Sequence, residues 1–216
     1  FNITLSASNA AGTDVKTLQL TIQQASADDT DGDGIADALD DYPNDPDRAF
    51  NSYYPNQADF VSIAFEDLWP AYGDYDFNDF VINLNYKTVS NAQNKVVDIE
   101  IKYQIMADGA SLDNGFGMVF GALPDEVEAV SGFIKVGNAV MLDQKGFEAG
   151  HTNETVVILI DNINPLMEGG MANTIPGGKY VQTNVQTVVI NFSVPQQQLG
   201  LPPYNPFIFI DQNRSH

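Results

Sequence analysis

Apolar and polar residues alternate along much of this chain with the period of two that marks β-strands. Val97, Ile99, Ile101, Tyr103 and Ile105 fall on one side, and Asp98, Glu100, Lys102 and Gln104 on the other, as in an antiparallel strand with one wetted face. Val188, Ile190, Phe192 and Val194 alternate in the same way with Val189, Asn191 and Ser193, whereas Thr155–Ile160 is apolar on both faces and reads as a central strand of a sandwich core. Short strands near residues 60–66, 80–87, 116–121, 130–136 and 207–211 complete the set, punctuated by Pro176-Gly177-Gly178 and Pro202-Pro203. No segment keeps a helical period over ten residues, the nearest being a short turn around residues 125–130. The pattern predicts an all-β fold, an antiparallel β-sandwich or jelly roll.

The first 24 residues stand apart. Ile3, Leu5 and Ala7 alternate with Asn2, Thr4 and Ser6. After a turn at residues 9–13, Val15, Thr17, Gln19 and Thr21 alternate with Leu18, Leu20 and Ile22. A hairpin of two strands is marginal alone in water, and this one resembles the last two strands of a bacterial immunoglobulin-like repeat. Phe1 to Thr4 already reads as strand, not as a signal peptide, so the chain is expected to be an interior piece of a longer protein. Three segments follow from the pattern: a hairpin at 1–24, an extended acidic linker at 25–51, and a β-sandwich at 52–216.

Charge narrows the partners. Asp and Glu number 29 against 9 Lys and Arg, a net of −20. Nucleic acid and anionic membrane surfaces need clustered basic residues and are poor partners for such a field. No stretch approaches the roughly 18 apolar residues of a membrane span. Cysteine is absent, which excludes disulfides and thiolate metal sites. The acids are also concentrated: 14 of the 29 fall in the 34 positions of segments 28–47 and 66–79. Divalent cations are the natural counterions for such a concentration.

The first acidic segment has the spacing of a calcium loop. Asp29, Asp31, Asp33, Gly34, Ile35, Asp37 and Asp40 occupy loop positions 1, 3, 5, 6, 7, 9 and 12. Calcium takes six to eight hard oxygens at about 2.3–2.6 Å, so alternate side chains must turn inward around one ion. Gly34 permits the sharp turn, and Ile35 supplies its carbonyl. Pro43 and Pro46 forbid the exiting helix of an EF-hand. The series through Asp40 and Pro43 resembles a thrombospondin type 3 repeat, which implies calcium wrapped by chain with little secondary structure. A second ion would draw on Asp37, Asp40, Asn44, Asp45 and Asp47.

The second segment, residues 65–79, reads FEDLWPAYGDYDFND. Asp74, Asp76 and Asn78 are expected to project together while Tyr75 and Phe77 anchor the opposite side, with Glu66 and Asp67 folding back to the same point. Convergent carboxylates are unfavourable unless cations neutralise them or their protonation shifts. Residues 64–81, with Asn114-Gly115-Phe116-Gly117, Glu148-Ala149-Gly150 and Pro203-Tyr204-Asn205-Pro206-Phe207-Ile208, resemble the LruC domain of bacterial exported proteins. A related FED and GDxDFND signature occurs in other bacterial exoprotein domains that bind calcium. The resemblance implies Glu66, Asp67, Asp74, Asp76, Asn78 and Asp79 as ligands, and a further strand beyond His216.

Together these features predict a non-enzymatic, calcium-binding module with two or more ions. It would be secreted or exposed on the surface of a Gram-negative bacterium and act in adhesion or in matrix or filament assembly. Surface glycans, proteins, or further copies joined by β-strand addition would be its partners. The alternative is an extracellular carbohydrate-binding or carbohydrate-active domain that uses the carboxylates of residues 66–79, with Trp69, Tyr72 and Tyr75 against sugar rings. His151 reads as a solvated turn residue.

Overall fold

A computed structural model describes residues 2–19, 28–68, 73–167, 171–178 and 180–210. Within them the protein is all-β and antiparallel, as the alternation predicts. Strands β1 (Asn2–Asn9) and β2 (Gly12–Gln19) form a hairpin in their own two-stranded sheet, turning at Ala10-Ala11. The expected continuation of the second strand through Ile22 lies outside the described residues. Between Asp28 and Ala49 the only regular element is a 3-10 turn at Asp37–Leu39.

The main sheet has six strands: β3 (Phe50–Tyr54), β4 (Val61–Phe65), β5 (Phe80–Ser90), β6 (Val96–Ala107), β8 (Val127–Ser131) and β10 (Gln186–Gln196). Its order is β3-β5-β6-β10-β8. Both β3 and β4 pair with β5, β3 along Tyr86 to Ser90 and β4 along Phe80 to Leu84, so the two short strands lie end to end on one edge. A second sheet has the order β11-β7-β9, from β7 (Asn114–Phe120), β9 (Thr155–Ile160) and β11 (Asn205–Ile210).

One core fills the space between the sheets. Ile82, Leu84, Ile99, Ile101, Ile105, Val188 and Ile190 from the first meet Phe116, Met118, Phe120, Val157 and Leu159 from the second. Phe80 stacks on Phe116 with centroids 5.6 Å apart, and Phe65 meets the same ring edge-on at 6.0 Å. The two large polar rings in the core keep their hydroxyls partnered, since burying them bare would be costly. Tyr103 donates to the Leu159 carbonyl at 3.1 Å, and Tyr86 reaches the Met118 sulfur at 3.7 Å.

Four details differ from the sequence reading. Thr155–Ile160 is not a central strand but an edge of the smaller sheet; it is buried on both faces because Val156 and Ile158 pack outward against Val140, Leu142, Phe207 and Phe209. Residues 127–131 form β8, where a turn was expected, and the strand expected at 130–136 ends at Ser131. Strand β3 begins at Phe50, inside the expected linker. Arg48, at the end of that linker, reaches across to β6: its Nε donates to Asp98 at 2.6 Å and its Nη1 to Asp45 at 2.7 Å.

Depth sets the energetic weight of each contact. Phe116→Ala deletes a fully buried ring that touches both sheets and is expected to cost about 3–5 kcal/mol. Leu5→Ala, on the exposed hairpin, is expected to stay within about 0.5 kcal/mol. Denaturant titration of both variants measures the contrast.

Candidate metal centre

The Asp-rich loop is held by its own backbone. Gly32 and Gly34 adopt left-handed φ values of 81° and 96°, as glycine readily does. Their N–H groups donate to the two oxygens of Asp29 at 2.8 and 3.1 Å. The N–H groups of Asp33, Ile35 and Tyr42 donate to Oδ1 of Asp31, Asp33 and Asp40 at 3.2, 2.7 and 2.7 Å. Each of these last three carboxylates is thereby fixed through one oxygen. The other oxygen of each, Oδ2 of Asp31, Asp33 and Asp40, is buried and has no hydrogen-bond partner.

Asp29, Asp31 and Asp33 bring one oxygen each to within 4.8 Å of one another. Asp40 lies near enough that the charges of Asp33 and Asp31 add to the effect of burial, its largest cause, in holding its carboxyl above the ordinary range. Orphaned buried acceptors are costly. A cation held by Asp29, Asp31 and Asp33 would satisfy the orphaned oxygens of Asp31 and Asp33, and an all-oxygen, irregular donor set is of the kind calcium takes. Asp37 faces Thr30 instead, accepting its N–H at 2.8 Å and its hydroxyl at 2.7 Å, which lowers its pKa. Asp45 is bound to Arg48, and the Asp47 N–H donates back to Asp45 at 3.1 Å. Asp37, Asp40, Asn44, Asp45 and Asp47 are not gathered into one cluster among the described residues.

The second candidate centre is the loop of the β4–β5 hairpin. The pair Phe65↔Phe80 closes the ladder, so Glu66 and Asp79 leave it side by side. Glu66 is 8% exposed and brings an oxygen to within 4.8 Å of Asp74 and Asp76. Gly73 makes room for it, since a Cβ there would lie 2.7 Å from Glu66 Oε1. The Phe77 N–H donates to Glu66 Oε2 at 3.3 Å, and Asn78 Nδ2 donates to Asp76 Oδ2. Glu66 titrates above the ordinary range because of burial first and contact with Asp79 second.

Tyr75 and Phe77 are not buried beneath this loop. They have left-handed φ values of 56° and 54° and are 44% and 53% exposed. Two left-handed residues alternating with Asp74, Asp76 and Asn78 curl the backbone around the carboxylates and turn the rings to solvent. Such conformations are uncommon for bulky residues. Trp69 and Tyr72 lie outside the described residues.

Asp67 and Asp79 form the inner wall of the same loop, and the β6–β7 turn adds Asp108, Asp113 and Asn114 behind them. The Asp67 N–H donates to Asp79 Oδ2 at 3.0 Å, and Asn114 Nδ2 donates to Asp67 Oδ2 at 3.4 Å. Gly109 pins the turn in place, its N–H donating to the carbonyls of Asn78 and Asp79 at 3.0 and 3.2 Å. Asp108 is pushed up to about 6 by burial, and then by the charges of Asp113, Asp67 and Asp79. Periodicity does not single out Asp108, because it reads as the end of a strand. The signal in the sequence is the pair of isolated acids, Asp108 and Asp113, in an otherwise uncharged turn.

A family described as a domain of unknown function (DUF4842) matches residues 94–216. That span contains β6 through β11 and the acids of the β6–β7 turn, and it excludes both Asp-rich loops. No curated protein and no solved structure matches the chain.

Two outcomes follow. Gly109→Ala would place a Cβ 2.8 Å from the Asn78 carbonyl oxygen, so it is expected to destabilise the fold by about 1–3 kcal/mol in thermal or denaturant unfolding. In metal-free buffer the folded chain holds the Asp108 proton more tightly than the unfolded chain does. This contribution to stability is full below about pH 4 and is lost as pH rises through about 6. Asp108→Asn is expected to flatten that part of the pH–stability profile.

Proposed function

The chain belongs to the DUF4842 family, and we propose that it is a calcium-binding module of a bacterial cell surface, working in adhesion or in the assembly of an extracellular matrix or filament. The observation that carries this reading is the set of buried, unpartnered oxygens on Asp31, Asp33 and Asp40, held beside Asp29 by backbone N–H groups. Backbone donors position these carboxylates but cannot neutralise them, and a divalent cation does both. The Glu66, Asp74 and Asp76 trio supports a second ion. The resemblance of residues 64–81 to the LruC domain, and of the Asp-rich loop to a thrombospondin type 3 repeat, supports an exported, Gram-negative setting. Calcium there is plentiful, and modules of this kind bind it with Kd of about 10⁻⁴–10⁻³ M.

Its role is structural and adhesive, not enzymatic. The exposed rings of Tyr75 and Phe77 beside the second trio support a variant of this reading, a calcium-dependent surface for carbohydrate. A hydrolase would instead use the raised carboxyl of Glu66 as its acid. Strand addition through the β1–β2 hairpin would supply self-association, since this sheet pairs with no other strand among the described residues.

Calorimetric titration of the chelator-stripped protein is expected to show two or more calcium ions, one of them lost in Asp31→Asn/Asp33→Asn. Chelation is expected to lower Tm by several degrees and to speed proteolysis between residues 28 and 50. Identical melting and cleavage with and without chelator would end the calcium reading. A polysaccharide panel is expected to show binding at most, and turnover of any member would make the domain an enzyme.

A further inference from the structure

Beyond the trio of Glu66, Asp74 and Asp76, the β4–β5 loop also has an inner side. Asp67 follows β4, Asp79 precedes β5, Asp108 follows β6 and Asn114 opens β7. Four strand ends, three from the six-stranded sheet and one from the three-stranded sheet, thus bring oxygen-bearing side chains to one end of the sandwich. Asp108 is 2% exposed; its carboxylate accepts the Ala110 N–H, and its Oδ1 has no partner. Asn114 is fully buried, with Nδ2 on Asp67 and Oδ1 unpartnered. Asp79, 8% exposed, lies within hydrogen-bonding reach of both Glu66 and Asp67.

We propose that Asp67, Asp79, Asp108 and Asn114 Oδ1 form an interior site for a divalent cation, distinct from the outer trio of Glu66, Asp74 and Asp76. Two orphaned oxygens on buried side chains are the independent sign of a ligand, because such groups are rare without one. Water would satisfy Asn114 Oδ1 but would leave three carboxylates unneutralised. No ion pair joins Asp67, Asp79 or Asp108 to a basic side chain among the described residues. Among the described residues Arg48 pairs with Asp45 and Asp98, Lys102 with Glu100 and Lys135 with Asp161, while Lys145 is bound to the carbonyls of Pro124, Asp125 and Val127. Asp113 belongs to the second layer, its oxygens taken by Asn162 at 3.3 Å and Asn164 at 2.5 Å.

The inner oxygens are set wider than the outer trio, which alone closes to within 4.8 Å. Ligands on opposite sides of a calcium ion stand about 5 Å apart, and water completes a shell of six to eight oxygens. Asp67 is part-buried, where Asp79, Asp108 and Asn114 are buried. The ion would tie β4, β5 and β6 of one sheet to β7 of the other, a cross-link in a protein without cysteine. The inference shares with the proposed function only the identity of the ion and stands on different residues.

The test is calcium calorimetry and thermal melting of the full chain with Asp108→Asn, Asn114→Ser and, as a control, Asp31→Asn/Asp33→Asn. Each inner variant is expected to lose one ion, or to bind it at least tenfold more weakly, and to show a smaller calcium-induced rise in Tm. Asp108→Asn without calcium is expected to be at least as stable as the parent, a result that a merely structural carboxylate would not give. The control loses a different ion, and the losses add. Full stoichiometry and unchanged affinity in both inner variants overturn the inference while leaving the proposed function intact. A parent that binds no calcium overturns both. Should the inner variants fail to fold, crystals of the parent grown with calcium decide the matter: an anomalous peak among Asp67, Asp79, Asp108 and Asn114 supports the site, and its absence there overturns it.

Discussion

Unneutralised carboxylates at close range are the constraint around which this molecule is arranged. Two unit charges 4 Å apart repel by about 1 kcal/mol in water, and by about 4 kcal/mol at the effective dielectric near a protein surface. With 29 acids and 9 bases, the chain has too few cationic side chains to answer that repulsion locally. Backbone N–H groups take one oxygen each of Asp31, Asp33 and Asp40 and leave the other buried and unpartnered. The backbone thus sets the positions of these carboxylates, and a counterion would remove the electrostatic cost that remains.

The sandwich provides the rigid frame that makes such an arrangement tolerable. Phe80, Phe116 and Phe65 form an aromatic contact directly beneath the β4–β5 loop. Register then decides what stands above it. Because Phe65 faces Phe80, Glu66 and Asp79 leave the sheet side by side, and because Val81 faces Ala107, Asp108 falls one position away, level with Phe80. Hydrophobic pairing inside the sheet thus places like charges together outside it, and the favourable burial of the rings offsets that cost.

Much of this was legible in the sequence, for a physical reason. Alternation over Val97 to Ile105 has one meaning when one face is dry, so β6 and its inward set could be read directly. The loop spacing from Asp29 to Asp40 was equally readable, because glycine at positions 32 and 34 and acids at alternate positions leave few other conformations. What escaped was tertiary. Nothing local distinguishes Thr155–Ile160 at a covered edge from a strand at the centre of a sheet, since both need two apolar faces. Tyr75 and Phe77 read as anchors because aromatic side chains usually bury, yet left-handed backbone at both positions turns them outward. Asp108 and Asn114 acquire their meaning only from Asp67 and Asp79, earlier in the chain, which Asp108 meets through the pairing of β5 with β6 and Asn114 across the two sheets.

The junction at Arg48 has a mechanical consequence. The Asp-rich segment joins the sandwich through several contacts: Arg48 on Asp98 of β6, the Tyr42 hydroxyl on Asn51 of β3 at 2.6 Å, the Asn51 N–H on Asp41 at 2.7 Å, the Ala49 N–H on the Ser90 carbonyl of β5 at 2.8 Å, and Lys87 of β5 over the Tyr42 ring at 5.6 Å. Tension along the segment would load Arg48 and the Asp41 and Tyr42 contacts with Asn51 together before it separated β3 from β5. Beyond it, β3 holds β5 through five residue pairs, from Phe50↔Ser90 to Tyr54↔Tyr86. A pull directed along β3 would load those hydrogen bonds in parallel, and a pull across it would peel them in series. The junction as a whole would thus act as a strain relief, as a knot does where a cord enters its housing.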